Sequence, residues 1–168
     1  MGLCLILSLG ACATQQPDPP VVASTSTESG LAADTLPDTQ GNTDACPYVD
    51  AEWLANTNGQ RVLSQGIDTR FDPPACVFWS YGEQPQATVL IRQMPSKSEA
   101  YQVVDWAAPI ASTDPVDQAG WSGGRGVTDS GSVYAVSKDT TAVVVFSDQQ
   151  QTIKAQLVAE EAIKNLGL

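Results

Sequence analysis

Histidine is absent from the 168-residue chain, and basic side chains are scarce. Without histidine, a Ser-His-Asp triad, a Cys-His pair and any histidine-containing zinc site are excluded. Only 8 Lys and Arg stand against 19 Asp and Glu, for a formal net charge of -11. Because phosphate contacts need clustered cations, this balance argues against nucleic acid as a partner. The length and the 42% of hydrophobic residues fit one globular domain.

A short apolar run opens the chain and ends in the tetrad Leu9-Gly10-Ala11-Cys12. The run is too short to span a bilayer, which takes about 20 residues as a helix. Small residues after an apolar stretch mark the cleavage site of a secretory signal. The tetrad resembles the bacterial lipobox, in which the chain is cut before a cysteine whose thiol carries diacylglycerol. We therefore expect residues 1–11 to be a signal peptide and Cys12 to be lipidated.

This reading places the protein on the extracytoplasmic side of the cell membrane, with the anchor at Cys12 as its membrane contact. Two acyl chains suffice for stable anchoring, so no basic patch is required. One feature departs from the pattern, since residues 1–11 contain no Lys or Arg. We interpret this departure as a late or truncated start. The alternative interpretation is a cytosolic N-terminus with an incidental cysteine.

Residues 13–44 are rich in Ser, Thr, Asp, Pro, Gln and Gly and show no apolar periodicity. Such a segment buries too little apolar surface to offset the entropy of ordering it. The composition predicts a disordered tether over residues 12–44, which begins at the lipidated cysteine. The globular domain is then expected over residues 45–168.

Two of the four cysteines, Cys46 and Cys76, remain inside the expected domain. An oxidising compartment and an even remainder suggest a disulfide between them. Two buried free thiols are the alternative. Two cysteines without histidine leave zinc short of ligands, and the aspartates lack the spacing of a calcium loop. We therefore expect neither a metal site nor a cofactor.

Hydrophobic periodicity predicts an α+β domain with the element order α-β-β-β-α-β-β-α. The expected sheet is antiparallel, with four to five strands and with helices on one face. Asp50 is the expected cap of the first helix, and Ser96 and Glu99 form a capping box before the second. A further capping box, Ser147 with Gln150, would start the last helix near Gln149. The expected strands cover residues 75–81, 88–92, 133–136 and 142–146, with a fifth near 61–65.

Residues 109–126 contain no clear helix or strand pattern, and irregular stretches of this length are often functional. One interpretation is a candidate binding loop formed by Asp114, Asp117, Trp121 and Arg125, with Trp121 as a contact and Arg125 facing an anion. The alternative is a connector in which Trp121 folds back onto the sheet while the glycines make turns.

The last helix carries an apolar stripe formed by Ala155, Val158, Ala159, Ala162 and Leu166. Ile153 and Leu157 fall outside this stripe. Exposure of both side chains together would favour a protein-contact patch at this position. Trp53, Trp79 and Trp106 are further large apolar groups, for which core packing is the simplest interpretation.

From residue 46 to residue 166 the chain resembles a family of actinobacterial envelope lipoproteins, the domain of unknown function 2020. The resemblance rests on Cys46-Pro47-Tyr48, Asn58-Gly59-Gln60, Pro74-Ala75-Cys76-Val77-Phe78, Gly120-Trp121 and the closing Lys154-Ala155 helix. It implies secretion, lipid anchoring and the pairing of Cys46 with Cys76. It implies no activity, because the family has none established.

The expected function is a non-enzymatic binding or assembly module that acts on an envelope protein or lipid. A lipid or glycolipid carrier is the first alternative, and it requires an apolar pocket lined by residues such as Phe78, Tyr101 and Val104. A carboxylate-based hydrolase is the second alternative, and it requires two acidic side chains that converge in a cleft. The sequence identifies neither the ligand nor the oligomeric state.

Overall fold

The structure is a computed structural model that describes residues 30–168. The expected signal peptide, Cys12 and the first part of the expected tether lie outside the described residues. Within the described part, no helix combines the length and the apolar character that crossing a membrane would need.

Three helices and seven strands make up the described part of the chain. In chain order they are α1 (Ala51–Asn58), β1 (Ser64–Asp68), β2 (Ala75–Trp79), β3 (Pro85–Gln93), α2 (Lys97–Ala107), β4 (Asp114–Gln118), β5 (Trp121–Thr128), β6 (Gly131–Lys138), β7 (Thr141–Ser147) and α3 (Thr152–Leu166).

All seven strands form one antiparallel sheet in the order β1-β2-β3-β7-β6-β5-β4. The pairing of β3 with β7 joins the two halves of the chain and sets Val89 opposite Val145. The α+β class and the antiparallel sheet are confirmed. The expected number of strands is too low, because β4 and β5 come from the stretch that was expected to be irregular.

Helices cover both faces of the sheet. The face of Val89 and Val145 packs against α1 and α3, whereas the face of Leu90 and Val144 packs against α2. The prediction that the helices share one face is therefore wrong. The reason is visible in β7, where consecutive apolar residues such as Val144 and Val145 point to opposite faces and both are fully buried.

Two of the three expected helix starts are confirmed. Asp50 Oδ1 accepts a hydrogen bond from the Trp53 N–H at 2.8 Å, which caps α1. Ser96 Oγ accepts from the Glu99 N–H at 3.3 Å and donates to Glu99 Oε2 at 2.7 Å. Both side chains satisfy backbone donors that the first helical turn leaves free.

The expected capping box of Ser147 and Gln150 does not form. Ser147 is the last residue of β7, and its Oγ accepts a hydrogen bond from the Gln149 N–H at 3.2 Å. The helix α3 starts at Thr152, and its N-cap residue Gln151 makes no side-chain cap. The serine therefore ends the strand in a tight turn rather than beginning the helix.

Residues 30–44 lie against the sheet, which differs from the expected tether. Arg92 of β3 donates from Nη2 to the Leu31 carbonyl at 3.0 Å and from Nη1 to the Ala32 carbonyl at 3.1 Å. Leu31 and Ala33 pack against the apolar cluster under α2. The packed part of the chain therefore begins before the expected boundary at residue 45.

Candidate functional site

The stretch predicted as a binding loop is mainly a β-hairpin, so the prediction of an irregular loop over residues 109–126 is wrong. Residues 114–118 pair with residues 121–125, with Asp114 opposite Arg125 and Asp117 opposite Ser122. Proline and two aspartates make β4 resemble a loop in composition. An edge strand accepts these residues because one side of its backbone makes no ladder bonds.

The hairpin does not bring the four candidate residues together. Trp121 is buried in the cluster under α3, with Lys138 Nζ 5.6 Å from its ring centroid. Arg125 faces the same helix and donates from Nη1 to Gln156 Oε1 at 2.8 Å. Asp114 lies opposite Arg125 and shares its face of the sheet. Asp117 is three residues after Asp114, so its side chain points to the opposite face. The structure thus favours the alternative in which Trp121 folds back onto the sheet.

The glycines of this hairpin serve packing. A Cβ on Gly124 would lie 2.5 Å from Thr113 Oγ1, and a Cβ on Gly126 would lie 2.9 Å from Thr113 Cγ2. Thr113 in turn donates from Oγ1 to the Pro109 carbonyl at 2.8 Å. Because Gly124 and Gly126 have no side chains, the segment that follows α2 can pack closely against β5, with Thr113 lying over these two glycines.

A disulfide joins Cys46 to Cys76, across a sequence separation of 30. It ties the segment before α1 to the buried strand β2. The alternative of two free thiols is therefore excluded in this structure. Beside the disulfide, Tyr48 donates from its hydroxyl to the Pro74 carbonyl at 2.8 Å, and burial raises the pKa of this phenol.

Asp68 is the one buried carboxylate among residues 30–168, with 3% of its side chain exposed. Burial alone would raise its pKa, but hydrogen bonds from the Arg70 side chain and from the backbone N–H groups of Asp38 and Arg70 hold the pKa below its ordinary value. The Asp68 Oδ2 and Arg70 Nη2 atoms are 2.6 Å apart. The nearest charged partner of this carboxylate is thus a guanidinium. Within the described residues, no three His, Cys, Asp or Glu side chains group in a way that could hold a metal ion.

Two grooves flank α2 on its face of the sheet. The first has a volume of about 510 Å³ and is lined by Trp79, Trp106, the floor residues Val77, Thr88 and Phe146, and residues 36–39. We call it the tryptophan groove. Its floor is a row across β2, β3 and β7, since Val77 lies opposite Thr88 and Thr88 lies opposite Phe146.

The rim of the tryptophan groove is polar. Asp38 and Asp148 contribute carboxylates, and Gln84, Thr39 and Ser130 contribute an amide and hydroxyls. Among the described residues that line the groove, none is Lys or Arg. The groove therefore combines indole rings with hydrogen-bond acceptors in the absence of a lining cation.

The second groove lies between α2 and the β4–β5 hairpin and has a volume of about 560 Å³. Tyr101, Val104 and Ile110 supply its apolar lining, and we call it the tyrosine groove. The expected single pocket of Phe78, Tyr101 and Val104 does not form. Phe78 is fully buried on the other face, against α1 and α3, because it alternates with Val77 along β2.

Sequence reasoning missed the tryptophan groove because it assigned Trp79 and Trp106 to the core. Both rings are only partly buried, and Trp106 packs edge-on against Phe146 with ring centroids 5.8 Å apart. For Trp106 the available signal was its position in the last turn of α2, whereas the expected strand 75–81 extended beyond Trp79 and hid its place at the end of β2. Elsewhere, Ile153 and Leu157 on α3 are 48% and 39% exposed. Exposure of both side chains is what the predicted protein-contact patch requires.

A comparison with protein-family models identifies one family. The family model of a domain of unknown function, DUF2020, matches residues 31–168. The match starts where the described chain begins to pack against the sheet, and it includes both disulfide cysteines. No curated protein matches the chain.

Proposed function

The chain belongs to the DUF2020 family, and we propose that it is a lipid-anchored extracytoplasmic protein whose folded domain is a non-enzymatic binding or assembly module. The anchor would be a diacylglycerol on Cys12, and the domain would face the cell envelope. An envelope protein, lipid or glycan is the class of partner that such a location offers.

The Cys46–Cys76 disulfide is the observation that carries the extracytoplasmic part of this proposal. Disulfides persist in oxidising compartments and are rare where the cytosolic thiol systems act. A disulfide in a chain that also carries Leu9-Gly10-Ala11-Cys12 is consistent with an exported lipoprotein. The two features are independent, because one lies in the folded domain and the other at the lipobox-like tetrad.

The binding part of the proposal is supported by the two open grooves beside α2. Ligand sites are commonly concave, with apolar walls and a few convergent polar groups. The buried carboxylate Asp68 lines neither groove and is paired with Arg70.

Metabolic labelling with palmitate tests the anchor. The native chain should take up the label, and Cys12→Ala should lose it. Cys4→Ala is the matched control, because Cys4 precedes the expected cleavage point and should leave labelling unchanged. A label that is absent from the native chain, or that persists in Cys12→Ala, contradicts the anchoring proposal.

A lipid or glycolipid carrier is the second candidate function, and the tyrosine groove is the observation that favours it. Its lining by Tyr101, Val104 and Ile110 suits an acyl chain. Mass spectrometry of organic extracts from the purified chain tests this function, with Gln102→Trp, at an exposed position of the lining, as the variant that fills the groove. Equal lipid content in the native chain and the filled variant would remove this candidate.

A further inference from the structure

We propose that the tryptophan groove is a binding site for a neutral oligosaccharide of the envelope. This inference rests on the proposed function, because it names the ligand class of the binding module. It is carried by the rings of Trp79 and Trp106, the polar rim and the absence of a cation from the described lining.

The two indoles supply the flat apolar surfaces that a sugar ring needs. A pyranose or furanose presents a face of C–H bonds that stacks on an aromatic ring, whose face carries partial negative charge. The edge-on contact with Phe146, at an interplanar angle of 76°, holds the Trp106 ring in one orientation. The backbone of Trp79 is fixed at the end of β2, which keeps the position of this indole beside the floor of the groove before a ligand binds.

The rim suits a ligand that donates hydrogen bonds and carries no negative charge. Asp38 Oδ1 accepts from the Gln40 N–H, and Asp148 Oδ1 accepts from Gln149 Nε2. A carboxylate offers about four acceptor sites, so each group retains acceptors for sugar hydroxyls. A phosphorylated or carboxylated ligand would be repelled by these two carboxylates, with no lining cation to offset the repulsion.

An acyl chain fits this groove poorly. Its rim carries carboxylates and hydroxyls. A hydrocarbon would displace the water that hydrogen-bonds to these groups and would offer no hydrogen bonds in return. The tyrosine groove has the more apolar lining of the two, because Asp105 is the one charged side chain among its described lining residues. The chemistry of the tryptophan groove therefore points to a polyhydroxylated ligand with apolar faces.

Residues 36–39 complete the groove and are held from outside it. The backbone N–H of Asp38 donates to Asp68 Oδ2 at 2.8 Å, and Arg70 Nη2 donates to the Leu36 carbonyl at 3.5 Å. Asp68 and Arg70 do not line the groove. They act as positioning residues, because they keep the segment that carries Asp38 beside the tryptophans.

Isothermal titration of the full chain tests the proposal, with a detergent that has no sugar head group. The probes are maltotriose, mannotriose and galactotriose as neutral ligands and glucose 6-phosphate as an anionic one. We expect at least one neutral trisaccharide to bind and to change the tryptophan fluorescence, whereas the phosphate ester should not bind. Failure of every neutral probe at tens of millimolar, or equal binding of the phosphate ester, overturns the proposal.

Matched Trp→Phe variants locate the site. Trp106→Phe keeps an aromatic contact with Phe146 but removes the indole, and it should weaken binding about tenfold. Asp38→Asn should also weaken it, because a rim acceptor is lost. Trp53→Phe, on α1 and outside the groove, should bind like the native chain. Unchanged binding in both groove variants overturns the assignment.

The two sets of experiments fail separately. Titration uses purified protein and does not depend on whether Cys12 carries a lipid. Saccharide binding without palmitate label would contradict the anchor alone, and label without saccharide binding would contradict the ligand class alone.

Discussion

The buried carboxylate of Asp68 accepts a hydrogen bond from the backbone N–H of Asp38, thirty residues earlier in the chain, at 2.8 Å. Asp68 ends the edge strand β1, whereas Asp38 lies in the segment that borders the tryptophan groove. The Asp68 side chain, together with Arg70, thus holds a segment that has no helix or strand of its own.

Replacing Asp68 with asparagine should loosen this segment. Both Asp68 oxygens accept hydrogen bonds from N–H groups, and an asparagine NH₂ would set a donor against donors. We expect the free energy of unfolding to fall by about 1–3 kcal/mol. The ion pair adds little to this figure, since 43% of the Arg70 side chain is exposed. Urea denaturation measures the change.

Asp139→Asn is the matched control for that variant. Asp139 pairs with Lys97 at 2.7 Å, but about two thirds or more of each side chain is exposed. Such a pair contributes little, and asparagine tolerates the positive φ of 53° at this position. An equal loss of stability in both variants would contradict the role assigned to Asp68.

Acid should weaken the same contact. Burial opposes the charge on Asp68, but the hydrogen bonds from Arg70 and Asp38 prevail and lower its pKa in the folded state. A lowered pKa means that the stabilisation is complete above the unfolded value, about 3.9, and is lost as the pH falls towards the folded value. The difference in stability between the native chain and Asp68→Asn should therefore stay constant above about pH 5 and shrink as the pH falls from there through about pH 4 towards the lowered folded value. A difference that also stays constant below about pH 5 would show that the carboxylate charge does not matter.

Removing the disulfide should cost more than any of these changes. The bond closes a loop with a sequence separation of 30. Loop-closure entropy predicts a loss of about 3–4 kcal/mol for the double variant Cys46→Ala and Cys76→Ala. Native protein reduced with dithiothreitol is the control, because it loses the cross-link but keeps the cysteine side chains. If the reduced native protein is as stable as the oxidised one, the cross-link does not stabilise the fold.

Sequence patterns predicted the elements whose signals are local. The cap at Asp50, the capping box of Ser96 with Glu99 and the stripe of α3 all depend on residues within a few positions of one another. Each of these patterns reports on a single helix. The disulfide was also accessible, because only two cysteines remained inside the domain.

The features that sequence patterns missed depend on distant pairings. The tryptophan groove exists because β3 pairs with β7, which brings Thr88 beside Phe146. Arg92 holds the segment before α1 through the backbone carbonyls of Leu31 and Ala32. Every residue has a backbone carbonyl, so the sequence does not show which residues make such contacts. The hairpin β4–β5 was hidden because its glycines and Pro115 are typical of turns.

The packing of Gly126 against Thr113 allows a test of the hairpin by double substitution. A Cβ on Gly126 would lie 2.9 Å from Thr113 Cγ2, with the Ser112 carbonyl at 3.5 Å as the next contact. Gly126→Ala should therefore lower the free energy of unfolding by about 1–3 kcal/mol through overpacking. Thr113→Ser removes the offending methyl group and keeps the hydroxyl that donates to the Pro109 carbonyl.

The double variant should recover most of the stability that Gly126→Ala loses, because the added methyl group occupies the space that Thr113 vacates. Gly82→Ala is the control, since the nearest atom to its added Cβ is the Gln84 backbone nitrogen at 3.9 Å. A thermodynamic cycle over the two single variants and the double variant measures the coupling between the sites. Additive losses would mean that residues 109–113 do not pack on β5 as described. The tyrosine groove would then have a different shape as well, because Ile110 and Thr113 belong to its lining.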